Sequence, residues 1–342
     1  MTGARPRVSA VVLAYRPEPW LERSVHALLA SADADVDVVL VDNGGTDGAV
    51  ERLRGTPGVT VVGEGENLGF SGGCNLGATV ATGDYLALVN GDLVVEPDAI
   101  ARLVAVAAVP DVGIAAGSVR LGDDPTLLNS AGNEIHFLGF SWVGGFGEPA
   151  AVAAVDRDVA GGMGALVLMR RRVWDDLGGF AEQYFAFHED AELSWRCWQR
   201  GLRVHYVPGA VGVHRYEFDR EPRKMYLAER NRLVFALTCW DGRTLALLAP
   251  VFVAMEGAVA LVALRGGWLR DKVAGWVWLW RNRVWLRERR VLVQTTRTVG
   301  DRKLAPLITS RMDARNFPIP DALRPLDALL AAYWRFVRRF LR

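Results

Sequence analysis

Three apolar runs, the second and third closing on an Asn, Asp or Gly turn, constrain this chain more than any other feature: Val8–Tyr15, Val36–Val41 and Tyr85–Val89. Each is short and lacks polar alternation, which predicts a buried strand. The second run ends in Asp42-Asn43-Gly44-Gly45-Thr46-Asp47 and the third stops at Asn90-Gly91-Asp92. In open α/β sheets ligands bind outside the carboxyl ends of the strands, where such side chains can take hydrogen bonds from a base or ribose. Between these runs lies Asn67-Leu68-Gly69-Phe70-Ser71-Gly72-Gly73-Cys74-Asn75. It reads as a glycine-rich loop entering an apolar helix, with backbone N–H groups free to approach a diphosphate. One such turn is only a loop. Three in order, each beside a buried run, predict one shared site.

The second informative stretch is His188-Glu189-Asp190-Ala191-Glu192-Leu193-Ser194-Trp195-Arg196, an acidic pair at the head of a helix. Acids favour first turns through the helix dipole, which accounts for a solvated pair. Here Gly178-Gly179-Phe180 supplies a turn just upstream, and Tyr184, Phe185 and Phe187 supply aromatic walls. The acids are therefore expected at the edge of an apolar cleft, an active-site environment.

Taken in order, Asp42-Asn43, Asn67-Leu68-Gly69-Phe70, Asn90-Gly91-Asp92, Gly178-Gly179-Phe180 and Glu189-Asp190 resemble the family-2 inverting glycosyltransferases, most of all the rhamnosyltransferase-type branch. The resemblance covers about residues 7 to 216. It implies the GT-A fold, a doubly wound, mostly parallel α/β sheet that holds a nucleotide-sugar over a divalent cation, Mg²⁺ or Mn²⁺. By the same resemblance Asp190 is the general base, Asp92 and His214 hold the metal, and Asp42 meets the nucleobase. Ala14, Tyr15, Asn43, Asn67, Gly72, Asn75, Asn90 and Gly91 join the donor side, and Gly162, Phe187 and Glu189 the acceptor side. Asn90 stands where the family's Asp-x-Asp motif often begins with Asn. A neutral amide binds a hard dication less strongly than a carboxylate, so diphosphate oxygens and waters must supply more of the coordination.

The chemistry follows from the reaction. A nucleotide diphosphate leaves readily once a cation neutralises its developing charge, so no acid is needed on that side. The acceptor hydroxyl needs a base, and Asp190 opposite the leaving group would serve in one inverting displacement. Two catalytic carboxylates would instead suggest glycoside hydrolysis, but the strand-end turns favour a nucleotide donor. Glu189 is then an orienting group and Glu192 a structural one. The implied reaction moves a sugar, foremost L-rhamnose from dTDP-rhamnose, to a polyprenyl-linked or cell-envelope glycan acceptor. Galactofuranose or another hexose from a UDP-sugar is the competing donor. A non-catalytic nucleotide-sugar-binding scaffold is the reading of another class, and intact Asp92 and Asp190 speak against it.

The remaining third has a different character. With 342 residues there is room for one domain of about 200 to 250 residues and an appendage, expected as a catalytic domain over 1–235 and a helical extension over 236–342. Only Met1 to Arg7 precede the first run, so no secretory signal is expected. Cys74, Cys197 and Cys239 form no C-x-x-C pair, which suits a reducing compartment. The net charge is +1, yet residues 265 to 290 hold eight Lys/Arg against Asp271 and Glu288, and Arg335, Arg338, Arg339 and Arg342 add more at the end. Leu269, Val273, Trp276, Trp280 and Val284 recur at helical spacing, flanked by Arg270, Lys272, Arg281 and Arg283. That predicts an amphipathic helix suited to an anionic lipid surface.

Thr244 to Leu264 is an apolar run long enough to span a bilayer. Glu256 near its centre would cost about 2.5–3.5 kcal/mol in such a position, and Pro250 interrupts the run, so an interfacial placement is expected. Packing in a core or between two copies of the chain is the other use of these helices. Continuous apolar helices fit nucleic-acid binding poorly. The enzyme is thus expected in the cytoplasm, peripheral on the inner face of the membrane. The charged segment from Arg215 to Lys224 is expected as a loop able to close over the donor, and Arg230 and Arg232 after it as phosphate contacts.

Overall fold

The computed structural model describes residues 5–215, 223–313, 315 and 324–342. Most of the segment expected to close over the donor, residues 216–222, lies outside the described residues. The described residues form two compact units. The first comprises the chain up to Asn133, then Val143–Cys197 and the strand that follows.

In the first unit the apolar runs become β1 (Arg7–Ala14), β2 (Asp35–Asp42), β3 (Val59–Val62) and β4 (Tyr85–Asn90), which pair in parallel in the order β3-β2-β1-β4. Val8, Ala10, Val11 and Val12 are all but inaccessible, as are Val38 to Val41. Burial on both faces is why these strands read as continuous apolar runs instead of alternating ones. The crossovers are α1 (Leu21–Leu29), α2 (Ala49–Leu53) and α3 (Gly69–Val80). Leu21, Val25 and Leu28 of α1 join Val8, Ala10 and Val12 in one core. α3 covers the other face, where Val11 and Leu13 point. A Cβ on Gly73 would fall 2.6 Å from Leu13, and one on Gly77 2.5 Å from Val11, so these glycines let the helix lie close on the sheet.

The chain continues through a short β5 (Leu93–Val95), α4 (Ala99–Ala107), β6 (Val112–Leu121), β7 (Leu128–Ser130), β8 (Asn133–His136), β9 (Ser141–Val143), β10 (Arg157–Asp158), β11 (Leu166–Arg170), α5 (Arg171–Leu177), α6 (Glu189–Gln199) and β12 (Arg203–His214); β8 and β9 pair with each other outside the large sheet, which the other strands join. The order of the large sheet is β10-β12-β6-β11-β4-β1-β2-β3. β11 runs against both neighbours, and β12 runs parallel to β6. β4, β1, β2 and β12 therefore present Asn90, Ala14, Asp42 and His214 at one edge, the carboxyl edge where ligands bind in such sheets.

The second unit comprises Glu134–Trp142, Trp198–Gly201 and the helices α7 (Lys224–Cys239), α8 (Gly242–Arg265), α9 (Leu269–Arg281), α10 (Arg283–Thr296), α11 (Asp301–Leu304) and α12 (Arg324–Val337), with β13 (Ile308–Thr309) pairing on β8. α8 is the apolar run, capped at its start by Asp241, whose Oδ1 accepts from the Thr244 backbone N–H at 2.7 Å. It is long and apolar enough to cross a membrane, with a mean hydropathy of 2.2. Glu256 is not a lone charge: Lys272 lies 2.8 Å from it, Arg232 also pairs with it, and Trp276 Nε1 donates to it at 2.7 Å. Glu229 completes the cluster, 2.9 Å from Arg232 and in contact with Lys272. Burial pushes the Glu229 carboxyl up, but Arg232 and then Lys272 outweigh it and hold the value at about 2.

Three sequence expectations are corrected here. Arg232 and Lys272 are buried in this cluster and face no phosphate or lipid, because two carboxylates lie opposite them. Arg230 is buried too, its guanidinium 4.6 Å from the Trp278 ring centroid. The amphipathic pattern spans two helices, since the chain turns at Asn282 and leaves Val284 on α10. The apolar stripe itself stays uncovered: Trp280 is 67% and Val284 64% exposed, and Val253 of α8 is 73% exposed.

Candidate active site

The site is built where the parallel strands end. β2 closes on Asp42, whose Oδ1 accepts from the backbone N–H groups of Gly44 and Gly45, each at 3.3 Å, which turns the chain and leaves the carboxylate half-buried at the strand end. Gly63, at φ +88°, lets the opposite loop pass: a Cβ there would sit 2.7 Å from the Asp42 carbonyl oxygen. Ala14 pairs with Asp42 in register and is buried, and Tyr15 follows it with the Arg16 guanidinium 5.0 Å from its ring.

Several residues expected at the donor are engaged in holding these loops. Asn43 is buried; its Oδ1 accepts from Leu68 N–H at 2.8 Å and its Nδ2 donates to the Gly69 carbonyl at 3.3 Å. Asn67 Oδ1 caps the same turn through Gly69 N–H at 3.0 Å. Asn75 accepts from Phe180 N–H and donates to the Phe180 carbonyl, both at 3.0 Å, so it is a strut between α3 and the Gly178-Gly179-Phe180 turn. Gly72 and Gly73 lie inside α3 and are buried, so the expected glycine-rich phosphate loop is corrected to a helix whose glycines serve packing. Gly91 is similar, since a Cβ there would meet the Leu13 carbonyl oxygen at 2.8 Å.

β4 and β12 bring Asn90, Asp92 and His214 together. His214 Nε2 lies 3.0 Å from Asp92 Oδ1 and 3.3 Å from Asn90 Nδ2, and Nδ1 lies 2.8 Å from Asn129 Oδ1. An amide oxygen can only accept, so Nδ1 carries a proton, and Nε2 faces the Asp92 carboxylate. A proton on Nε2 or a cation between the two atoms satisfies this contact. A hard or borderline divalent ion suits one carboxylate oxygen and one imidazole nitrogen. Among the described residues no group of three or more His, Cys, Asp and Glu could hold a metal, so Asp92 and His214 by themselves would supply only part of a coordination shell.

Asp190 stands at the head of α6. Its Oδ2 accepts from Asn133 Nδ2 at 2.9 Å and from Gly164 N–H at 3.1 Å, and Oδ1 accepts from Ala191 N–H at 2.7 Å. Burial raises its pKa, and these hydrogen bonds act in the opposite direction. Glu189, buried beside it, is pushed well above the carboxylate range by burial first and by the Asp190 charge second, and its Oε2 makes no hydrogen bond. Of the adjacent acids, Glu189 is therefore the one whose charged form burial disfavours more. Glu192 is fully buried and pairs with Arg196 at 2.9 Å, which in turn donates to the Gly179 carbonyl at 2.6 Å, a structural tie.

The backbone leading into the pair is strained. Phe185, Phe187 and His188 have φ of 64°, 69° and 69°. At Phe185 ψ is −64° and Ala186 N–H donates to the Tyr184 carbonyl at 2.8 Å, a tight γ-turn of the rare positive-φ kind. Three such outliers in four residues, with no glycine among them, point to a functional site.

One sheet step joins the halves: Asn90 N–H donates to the Ala165 carbonyl at 3.1 Å, and the neighbouring Gly164 holds Asp190. Gly162 closes the same loop, its N–H donating to Ser194 Oγ at 3.1 Å and its carbonyl accepting from Asn133 at 3.4 Å. Asn129 and Asn133 are the functional residues the sequence did not disclose, because isolated asparagines between short strands carry no motif.

The sequence profile of the family described as "Glycosyltransferase like family 2" matches residues 6–236. Among curated proteins, the N-acetylglucosaminyl-diphospho-decaprenol L-rhamnosyltransferase of Mycobacterium tuberculosis (strain CDC 1551 / Oshkosh) is 28% identical over 294 residues, 76% of this chain and 92% of that protein. Among solved structures, GalNAc-T7 with UDP, GalNAc and Mn²⁺ superposes at a TM-score of 0.57 and 17% identity, over 71% of this chain and 50% of that one. The mannosyltransferase PcManGT from Pyrobaculum calidifontis, in complex with GDP-Man and Mn²⁺, reaches a TM-score of 0.52 at 19% identity, over 98% of this chain and 87% of that one. These structures share the GT-A fold with this chain.

Proposed function

The chain belongs to the glycosyltransferase-like family 2, whose members transfer sugars, and from that premise we propose that it moves L-rhamnose from dTDP-rhamnose, with inversion, to a polyprenyl-linked or cell-envelope glycan acceptor. The observation that carries the reading is the Asp190 carboxylate, oriented by Asn133 and Gly164 one sheet step from the Asp92–His214 pair. The activity of the mycobacterial L-rhamnosyltransferase, 28% identical over most of the chain, supports this sugar and acceptor class.

In this reaction the acceptor hydroxyl oxygen attacks the anomeric carbon, the bond from that carbon to the diphosphate oxygen breaks, and the hydroxyl proton passes to Asp190. The raised pKa of Asp190 makes it the stronger base of its type. Glu189, whose charged form is disfavoured by burial, faces the acceptor side with Gly162 and Phe187. Asp92 and His214 would hold a divalent cation, Mg²⁺ or Mn²⁺, which supplies charge neutralisation to the diphosphate. Ala14, Tyr15, Asp42 and Asn90 line the nucleotide side, while Asn43, Asn67, Asn75, Gly72 and Gly91 shape it from behind. In this reading the region after residue 235 would hold the enzyme at the cytoplasmic face of the membrane, which the uncovered apolar stripe of α8 to α10 and its flanking arginines support.

The test is a donor screen with purified full-length protein and an N-acetylglucosaminyl-diphospho-polyprenol acceptor. Transfer from dTDP-rhamnose with release of dTDP is expected. Transfer from UDP-galactofuranose alone would overturn the sugar assignment and leave the reaction class, whereas a folded protein that neither transfers nor hydrolyses any donor would be a binding scaffold.

The support beneath Asp190 gives a second expectation. Asn133→Ala removes one of the donors to Oδ2 and leaves Gly164, so turnover should fall by about tenfold. A hydrogen bond to the charged form lowers a carboxylate pKa, so its loss should also move the acidic limb of the pH–rate profile to higher pH. A variant with full turnover and an unmoved acidic limb would deny Asn133 that role.

A further inference from the structure

The last residues of the second unit form a feature that the transfer reaction does not use. Arg302 of α11, Arg335 of α12, and Arg338 and Arg339 just beyond it line one open cleft of about 320 Å³. Among the described residues, none of these four guanidinium groups donates a hydrogen bond or pairs with a carboxylate. Other exposed arginines do find carboxylates, as Arg52 does with Glu22 and Arg102 with Asp98. The acid nearest in sequence, Asp301, is buried and turned away: it accepts from Arg297 at 2.6 Å, from Thr244 Oγ1 at 2.7 Å and from Asp241 N–H at 2.9 Å.

The cleft is built on a frame of fixed contacts. Trp334 of α12 is buried and stacks on Phe137 with centroids 5.2 Å apart and planes 7° from parallel. Val337 and Leu341 are buried on either side of the two consecutive arginines. Arg302 N–H donates to the Arg342 carbonyl at 2.9 Å, which ties the end of the chain to α11. A Cβ on Gly300 would fall 2.7 Å from that same carbonyl oxygen, so the approach requires glycine. Packing therefore holds four like charges together although they repel one another, and an anion in the cleft offsets that repulsion.

We infer that this cleft binds a phosphate-bearing anion. Guanidinium forks match the several acceptor oxygens of a phosphoryl group in bidentate fashion, which a lone carboxylate between four arginines cannot reproduce. Phe336 and Phe340, 53% and 41% exposed with centroids 5.0 Å apart, provide an apolar edge beside the arginines, so a lipid headgroup and a free phosphate or diphosphate both suit the chemistry. The inference stands apart from the transfer reading, and its test uses no sugar donor.

Full-length protein is titrated with inorganic diphosphate, and separately floated with vesicles of phosphatidylcholine alone or mixed with phosphatidylglycerol. The combined variant Arg335→Gln, Arg338→Gln, Arg339→Gln is set against a control with equal charge loss in the first unit, Arg52→Gln, Arg54→Gln, Arg172→Gln. Diphosphate affinity should fall by about tenfold or more in the cleft variant, about 1.4 kcal/mol, and stay within about threefold in the control. If phosphatidylglycerol binding falls alongside and diphosphate displaces the vesicles, the anion is lipid-borne; if only diphosphate binding falls, it is free. Equal loss in both variants, or wild-type protein that binds neither probe, overturns the site. Melting temperature checks the fold, and the single variant Arg338→Gln, which should lose part of the affinity, serves if the triple one is unstable.

Discussion

Asp190→Asn is expected to lower the rate of transfer by about 10²-fold or more, within the range seen when a general base is removed. The replacement keeps the size of the side chain but cannot take the acceptor proton. Its amide also fits the pocket poorly. Asn133 Nδ2 and Gly164 N–H both donate to Oδ2, and Ala191 N–H donates to Oδ1, so one edge of the carboxamide must set N–H against N–H. Some loss of order at the head of α6 is therefore expected, and the melting temperature should be read beside the rate. Donor affinity should stay within about twofold, because the base acts on the acceptor. A variant that turns over at nearly the wild-type rate would remove Asp190 from the base position and leave the family assignment as it is.

The second large effect concerns Asp92. Mg²⁺ or Mn²⁺ should strengthen nucleotide-sugar binding to the wild-type protein, and Asp92→Ala should abolish that gain. Outer partners of metal ligands are worth about 10- to 100-fold in metal affinity, so loss of the carboxylate itself should cost at least about 100-fold. The reason lies in the small donor set. His214 brings a ring nitrogen and Asn90 an amide, which leaves Asp92 as the one carboxylate of the trio. His214→Ala should weaken the cation effect less. Donor affinity measured across a cation series separates the two variants, and full activity in excess chelator would take the metal out of this enzyme's mechanism.

The reach of sequence reasoning is clearest at the asparagines. Asn90 is expected beside Asp92, and its amide lies 3.3 Å from His214 Nε2, because a short span of chain and a strand end determine its place. Asn43 and Asn75 sit in equally suggestive turns, yet their amides hold backbone groups of Leu68 and Phe180, partners far along the chain. A turn motif reports that a polar side chain is needed at a bend; it does not report which face of the bend receives the ligand. Lys272 shows the same limit in the helical unit. Its spacing predicts a solvated cationic edge, but Glu229 and Glu256 meet it there and remove it from solvent.

The sequence by itself determined the parallel sheet and the identity of its functional ends. Strands buried on both faces must be written as unbroken apolar runs, and Asp42, Asn90, Asp92 and Asp190 follow local backbone signals a few residues long. It also determined that α8 is apolar and that the basic charge gathers late in the chain. Only the tertiary structure decided which polar groups are left for chemistry. His214 gains its Nδ1 partner from Asn129, Asp190 gains its orientation from Asn133 and Gly164, and four arginines from separate segments come to share one cleft. Each of those outcomes depends on hydrogen bonds or charges between residues distant in sequence, whose energies exist only once the chain has closed around them.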